Sequence, residues 1–448
     1  MRGPRMTSIP AQPHDGPHPT HRPTLRPHGG ALGPGEDPLA HDNIHMPPGW
    51  GRVASGLLLG IGGVSCVLTA LYPVLAGGSG DEAGKAAKHA LASYHVGFLY
   101  ALGLALGSLG LVMIMHLVKA GWSVTMRRQV ENVAGLLPVA LALGLPSVIF
   151  AGTLFKWTKA TDSLAQHKAP FLNEPFFYAR LAVYALLWLG LSARLGGLSR
   201  RQDLIRDPEL TRHAVASSAV GILVFALSVA FASFDLIMAL DYHWYSTMFG
   251  VYFFAGNMIA SLSLWALVLG AVRAAGRLRG LVTAEHSHDL GKLMLGFTVF
   301  WAYISFSQYF LIWYANIPES QVWFMVRKSN GWENVFLFMA FGHFLAPFLV
   351  LLFRDVKRSS VVLGGVAAWL MLMHALDLFW QVRPIVYALE NTGTPTPGKM
   401  GLAWVDVTGL LGPVAVFAAA VVWRIGRGVL IPSGDPRLAE AIEHKNYV

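Results

Sequence analysis

Cysteine is almost absent from this chain: one thiol, Cys66, in 448 residues. That excludes an internal disulfide, a cysteine-rich zinc site and a cysteine-ligated iron–sulfur cluster. No Cys-x-x-Cys-His stretch occurs, so covalent attachment of c-type haem is excluded as well. Cys66 lies inside an apolar run and reads as packing. Charge is scarce too. Asp, Glu, Lys and Arg make up 13% of the residues, about half of the roughly 25% found in soluble domains. With 54% hydrophobic residues and a mean hydropathy of +0.48, the composition is that of an all-α polytopic membrane protein.

The remaining charge is net basic, +9. The basic residues are scattered between apolar runs and form no stripe, so no nucleic acid is expected as a partner. They read instead as loop residues that set topology in a lipid bilayer. Residues 1–50 are rich in Pro, Gly and His, lack an apolar run, and read as a disordered tail without a secretory signal. Its histidines, at 14, 18, 21, 28, 41 and 45, are expected to be solvated, and no metal site is expected anywhere.

From Gly51 to about residue 430, apolar runs recur at close to the ~20 residues a helix needs to cross hydrocarbon. About ten are legible, near 53–76, 91–118, 133–155, 175–198, 214–240, 247–272, 292–316, 332–353, 360–382 and 402–424. Pro138 and Pro146 predict kinks in the third. Residues 431–448 read as a polar, exposed tail, and no connection is long enough for a soluble catalytic domain. Most Lys and Arg follow even-numbered spans, among them Arg127, Arg128, Arg200, Arg201, Arg354, Lys357 and Arg358. That places these loops and both termini in the cytoplasm.

Ionisable groups inside spans cost ~2.5–3.5 kcal/mol on insertion scales and are functional candidates. Asp235 lies near the outer end of the fifth span, and the turn Asp241-Tyr242-His243-Trp244 follows it. In the ninth span His374, Asp377 and Gln381 recur at helical spacing and share one face. Gln308 in the seventh span and His95 at the start of the second are expected at the same outer level. His343 falls near mid-depth, either as a helix–helix hydrogen bond or as a step in a proton relay. Trp244, Trp313 and Tyr314 read as an interfacial aromatic belt. Together the outer groups suit a proton path or a quinol cavity with aromatic walls. Haem b between His95 and His374 is the rival reading, disfavoured because these histidines keep company with carboxylates.

The stretches FASFDLIMALDYHWYSTMFGVYFFAG (231–256), DLGKLMLGFTVFWAYISFSQYFLIWYANIPE (289–319), GHFLAPFLVLLFRDVKR (342–358) and MLMHALDLFWQVRP (371–384) resemble the F subunit of alternative complex III. This is quinone-binding subunit 2 of a bacterial quinol:cytochrome c oxidoreductase, similar in turn to NrfD/polysulfide-reductase membrane anchors. The resemblance extends from about residue 50 through the terminal DPRLAEAIEHKNYV. It implies two four-helix bundles with two peripheral helices in the bacterial inner membrane. It also implies partners: an iron–sulfur protein, a multihaem cytochrome c, a homologous quinol-binding membrane subunit and a terminal oxidase. The chain itself would hold no redox centre or covalently bound cofactor, and would contribute a proton pathway and a quinone-interacting cavity. An anchor for another molybdopterin oxidoreductase and a transporter are the alternatives.

Overall fold

The computed structural model describes residues 36–76, 80–386 and 400–446. Among these, ten helices are long and apolar enough to cross a membrane. They are α1 (Arg52–Ala76), α2 (Asp81–Leu117), α3 (Gly121–Ile149), α4 (Glu174–Ile205), α5 (Pro208–Leu240), α6 (Phe249–Ala274), α7 (Ala284–Ala315), α8 (Trp332–Leu352), α9 (Ser360–Pro384) and α10 (Trp404–Ile425). In hydrocarbon the backbone has no partner but itself, which is why each apolar run closes its hydrogen bonds as a helix. The chain is therefore an all-α, multi-pass membrane protein.

Helix α2 is the hub, with 94% of its apolar window buried. Glycines let its neighbours come close. A Cβ at Gly97 would stand 2.6 Å from the Gly409 carbonyl of α10, and one at Gly107 would stand 2.4 Å from the Asn257 carbonyl of α6. Helices α2 to α5 pack as one group of four and α6 to α9 as a second. Helices α2 and α5 meet α6 at the seam, while α1 and α10 pair and lie on the outside of α2.

Several boundaries differ from those expected, for one physical reason: paired charges were mistaken for loops. Helix α2 starts at Asp81, not near 91, so His95 lies well inside the span. Helix α3 starts at Gly121, not near 133, and buries Arg127 and Arg128. Arg127 pairs with Glu131 at 2.9 Å and Asp435 at 2.7 Å, and Arg128 pairs with Asp203 at 2.7 Å. Pro138 opens the second segment of α3 after a break at Gly135–Leu136, and Pro146 lies within that segment.

Asp435 belongs to the stretch expected to be an exposed tail. It is instead tucked in, with Ile431, Ala441 and Ile442 buried and the Gln129 side chain donating to the Leu430 carbonyl at 2.6 Å. Residues 36–50 are likewise no free tail. The Asn43 side chain donates to the Arg279 carbonyl at 2.8 Å, and Leu430 N–H donates to the Ile44 carbonyl at 2.8 Å. Both ends of the described chain thus close the same face of the molecule. The tail residues 1–35, with the histidines at 14, 18, 21 and 28, lie outside the described residues.

Candidate functional site

The stripe on α9 forms as its spacing requires, with His374, Asp377 and Gln381 all buried. Asp377 accepts a hydrogen bond from the Tyr252 hydroxyl of α6 and another from Trp301 Nε1 of α7 at 3.3 Å. Gln381 follows one turn later on the same face. His374 fits a recess that only glycine leaves open: a Cβ at Gly256 would stand 2.7 Å from its Cε1. His343 lies against Trp301, ring centroids 3.9 Å apart and planes tilted by 36°. Neither ring nitrogen of His343 or His374 has a hydrogen-bond partner among the described residues.

In front of this cluster lies a cleft of ≈ 380 Å³ between α6, α7, α8, α9 and the short helix Pro318–Val326. Its walls are aromatic: Phe249, Trp301, Trp323, Phe324, Phe336 and Trp380. Tyr303 and Phe306 on its rim are 65% and 64% exposed, on the outward flank of the membrane-spanning helix α7. The interior polar groups are few: Tyr252, Ser305, Gln308 and Gln381. Gln308 and Gln381 are buried, and the side-chain carbonyl of each lacks a partner among the described residues. Helix α8 contributes Ala340 and Phe344 from a π-helical turn, Ala340–Leu345. Such turns recur at functional sites. Here the turn leaves the Gly342 carbonyl to accept from Trp369 Nε1 at 2.6 Å.

Other expected site residues are elsewhere. Asp235 does not join the α9 stripe. Both its carboxylate oxygens are taken by Arg180 of α4, at 2.9 and 2.6 Å, and one also by the Tyr184 hydroxyl at 3.0 Å. The Arg180 guanidinium is clamped in turn over Phe171 and Phe176. This is a closed ion pair in the first bundle. His95 bonds through Nε2 to the Leu236 carbonyl at 2.8 Å, where α5 breaks, and does not line the α6–α9 cleft.

Asp241 and His243 remain on the turn after α5. Asp241 accepts the His243 backbone N–H at 3.2 Å, and His243 lies 3.5 Å from it and 3.9 Å from Asp162. Burial pushes the Asp241 carboxyl upward, but the His243 hydrogen bonds and the charge of Arg327 outweigh it and hold the group below its usual range. Trp244 is not a belt residue; it is buried and stacked on Trp323 at 4.2 Å. Trp313 and Tyr314, 59% and 76% exposed near the end of α7, suit the belt.

Sequence reasoning missed Tyr252, Trp301, Arg180 and a buried group at the same end of the molecule. In that group Asp406 of α10 meets Arg383 at 2.7 Å, Ser93 at 2.7 Å and His89 at 3.0 Å. Arg180 and Asp406 carried a visible signal as ionisable residues in apolar runs. Tyr252 and Trp301 carried none, because an aromatic residue in a membrane span reads as packing. Compared with protein families and with curated proteins, the chain matches no family model and no curated relative.

Proposed function

We propose that this chain is the membrane subunit of a quinol:cytochrome c oxidoreductase of the alternative complex III type, and that its α6–α9 cleft receives a quinone head group from the bilayer. The observation that carries the reading is the pair of buried, unpartnered glutamine carbonyls in an aromatic, lipid-facing cleft backed by a carboxylate. Buried polar atoms in native proteins are almost always satisfied. Two such acceptors in one cleft therefore fit a ligand with hydroxyl donors on a flat ring, as the quinol form carries. The aromatic walls fit the ring itself.

Gln308 and Gln381 would hold the head group. A quinol bound there supplies two electrons and two protons on oxidation. The chain has no redox centre of its own in this reading, so the electrons pass to partner subunits carrying iron–sulfur clusters and c-type haems. Protons are this chain's part. Tyr252 lines the cleft, and its hydroxyl donates to Asp377 behind it. It can take a proton from the cleft while releasing its own to the carboxylate. Ser305 also lines the cleft. His343 and His374, buried and with both ring nitrogens unpartnered among the described residues, would serve as the next acceptors. In this reading the membrane is the bacterial inner membrane, with both termini cytoplasmic.

The test uses the purified complex in proteoliposomes, following quinol:cytochrome c turnover and proton release together. Asp377→Asn is expected to assemble and to lose proton release with at least a tenfold fall in turnover. Wild-type turnover and proton release in that variant would refute the proposal.

A further inference from the structure

Arg327 lies in the connection between α7 and α8, where its charge reads in the sequence as a topology determinant. It is instead wholly buried. Its guanidinium donates to three backbone carbonyls: Trp323 at 2.9 Å, Trp380 at 3.2 Å and Gln381. No carboxylate pairs with it among the described residues; Asp241 acts on it only through space. A cation stripped of water and spent on carbonyls needs a reason.

Pro384 gives one. In a helix the carbonyl of residue i is met by the N–H of residue i+4. For Trp380 that residue is Pro384, which has no N–H. Arg327 Nε supplies the missing donor from outside the helix. Its planar face lies 3.2 Å over the Trp323 ring, and Trp380 Nε1 returns a bond to the Arg327 carbonyl at 3.4 Å. Trp323, Trp380 and Gln381 are all walls of the cleft, whereas Arg327 does not line it.

We infer that Arg327 is a positioning residue for the cleft: it replaces the donor that Pro384 removes and so fixes the last turn of α9 with Trp380 and Gln381 facing the ligand. The inference rests on the quinone reading of the cleft. It differs from a role for the charge alone, in which Pro384 would be irrelevant.

The experiment uses the full chain in nanodiscs with a decyl-substituted quinone as probe, binding being read from quenching of tryptophan fluorescence. Arg327→Gln is expected to weaken binding about tenfold, and Pro384→Ala alone to change it by less than about threefold. Because alanine restores the N–H at position 384, the double variant is expected to return to within about threefold of wild type. Unchanged binding in Arg327→Gln, or failure of Pro384→Ala to restore it, overturns the inference. If wild type itself does not bind the probe, the quinone reading fails. Thermal unfolding of the same four proteins then decides the role of Arg327. A double variant that loses less stability than the two singles together supports the link to Pro384, and strict additivity refutes it. If Arg327→Gln alone does not fold, recovery of folding in the double variant supports the link, and its absence overturns it.

Discussion

Tyr252 on α6 donates its hydroxyl hydrogen bond to Asp377 on α9 across the inner wall of the cleft. That one bond joins a lipid-facing cavity to the only carboxylate on the buried stripe of α9. Removing the hydroxyl interrupts the path while leaving the ring in place. Tyr252→Phe is therefore expected to lower quinol turnover about 10²-fold with little change in KM, as for loss of a proton-transfer group. Steady-state assays of the assembled complex check this.

On the proposed function, the two glutamines act on binding. Gln308→Leu and Gln381→Leu each remove a hydrogen-bonding group from the cleft, at about 1–2 kcal/mol apiece. Affinity for a short-chain quinone is expected to fall about 5- to 30-fold in each, measured by fluorescence quenching.

How much of this was legible in the residues varies by feature. The ten spans were, because runs of ~20 apolar residues leave the backbone no other choice. The stripe His374, Asp377 and Gln381 was also legible, because helical spacing places its members on one face. The boundaries near Lys85, Lys88, Arg127 and Arg128 were not. A paired charge inside a helix looks, one residue at a time, like a loop charge. Grouping Asp235 with Asp377 failed for a different reason. Sequence position gives depth along a helix but not which bundle it faces, and Asp235 faces Arg180. The positioning role of Arg327 carried no signal, because a proline's missing donor, 57 positions away in the sequence, is invisible until the fold brings the two together.

The Arg180–Asp235 pair predicts a stability effect without a functional one. Arg180→Ala leaves a buried carboxylate unpaired, which is expected to cost about 3–5 kcal/mol. Replacing both residues by leucine should recover most of that loss. Thermal unfolding in nanodiscs reads the difference, and quinone binding by the protein that remains folded should be unchanged.

The turn after α5 should respond to acid. The Asp241 carboxyl is held below its usual range in the folded protein, so its contribution is fully present above the ordinary carboxylate value and fades as pH falls through the lowered one. Acidification through that range is expected to loosen the turn around His243. In Asp241→Asn the acid-dependent part should vanish. Hydrogen exchange of the 241–248 segment as a function of pH measures both.

The central claim is that the α6–α9 cleft takes a quinone head group from the bilayer. A photoreactive quinone analogue, activated on the protein in nanodiscs and mapped by peptide mass spectrometry, tests it most directly. Saturable labelling is expected within 299–309 and 336–344, displaced by excess quinone and reduced in the Gln308→Leu protein. Labelling that is not displaced, or that maps to the α2–α5 bundle around Asp235, would contradict it.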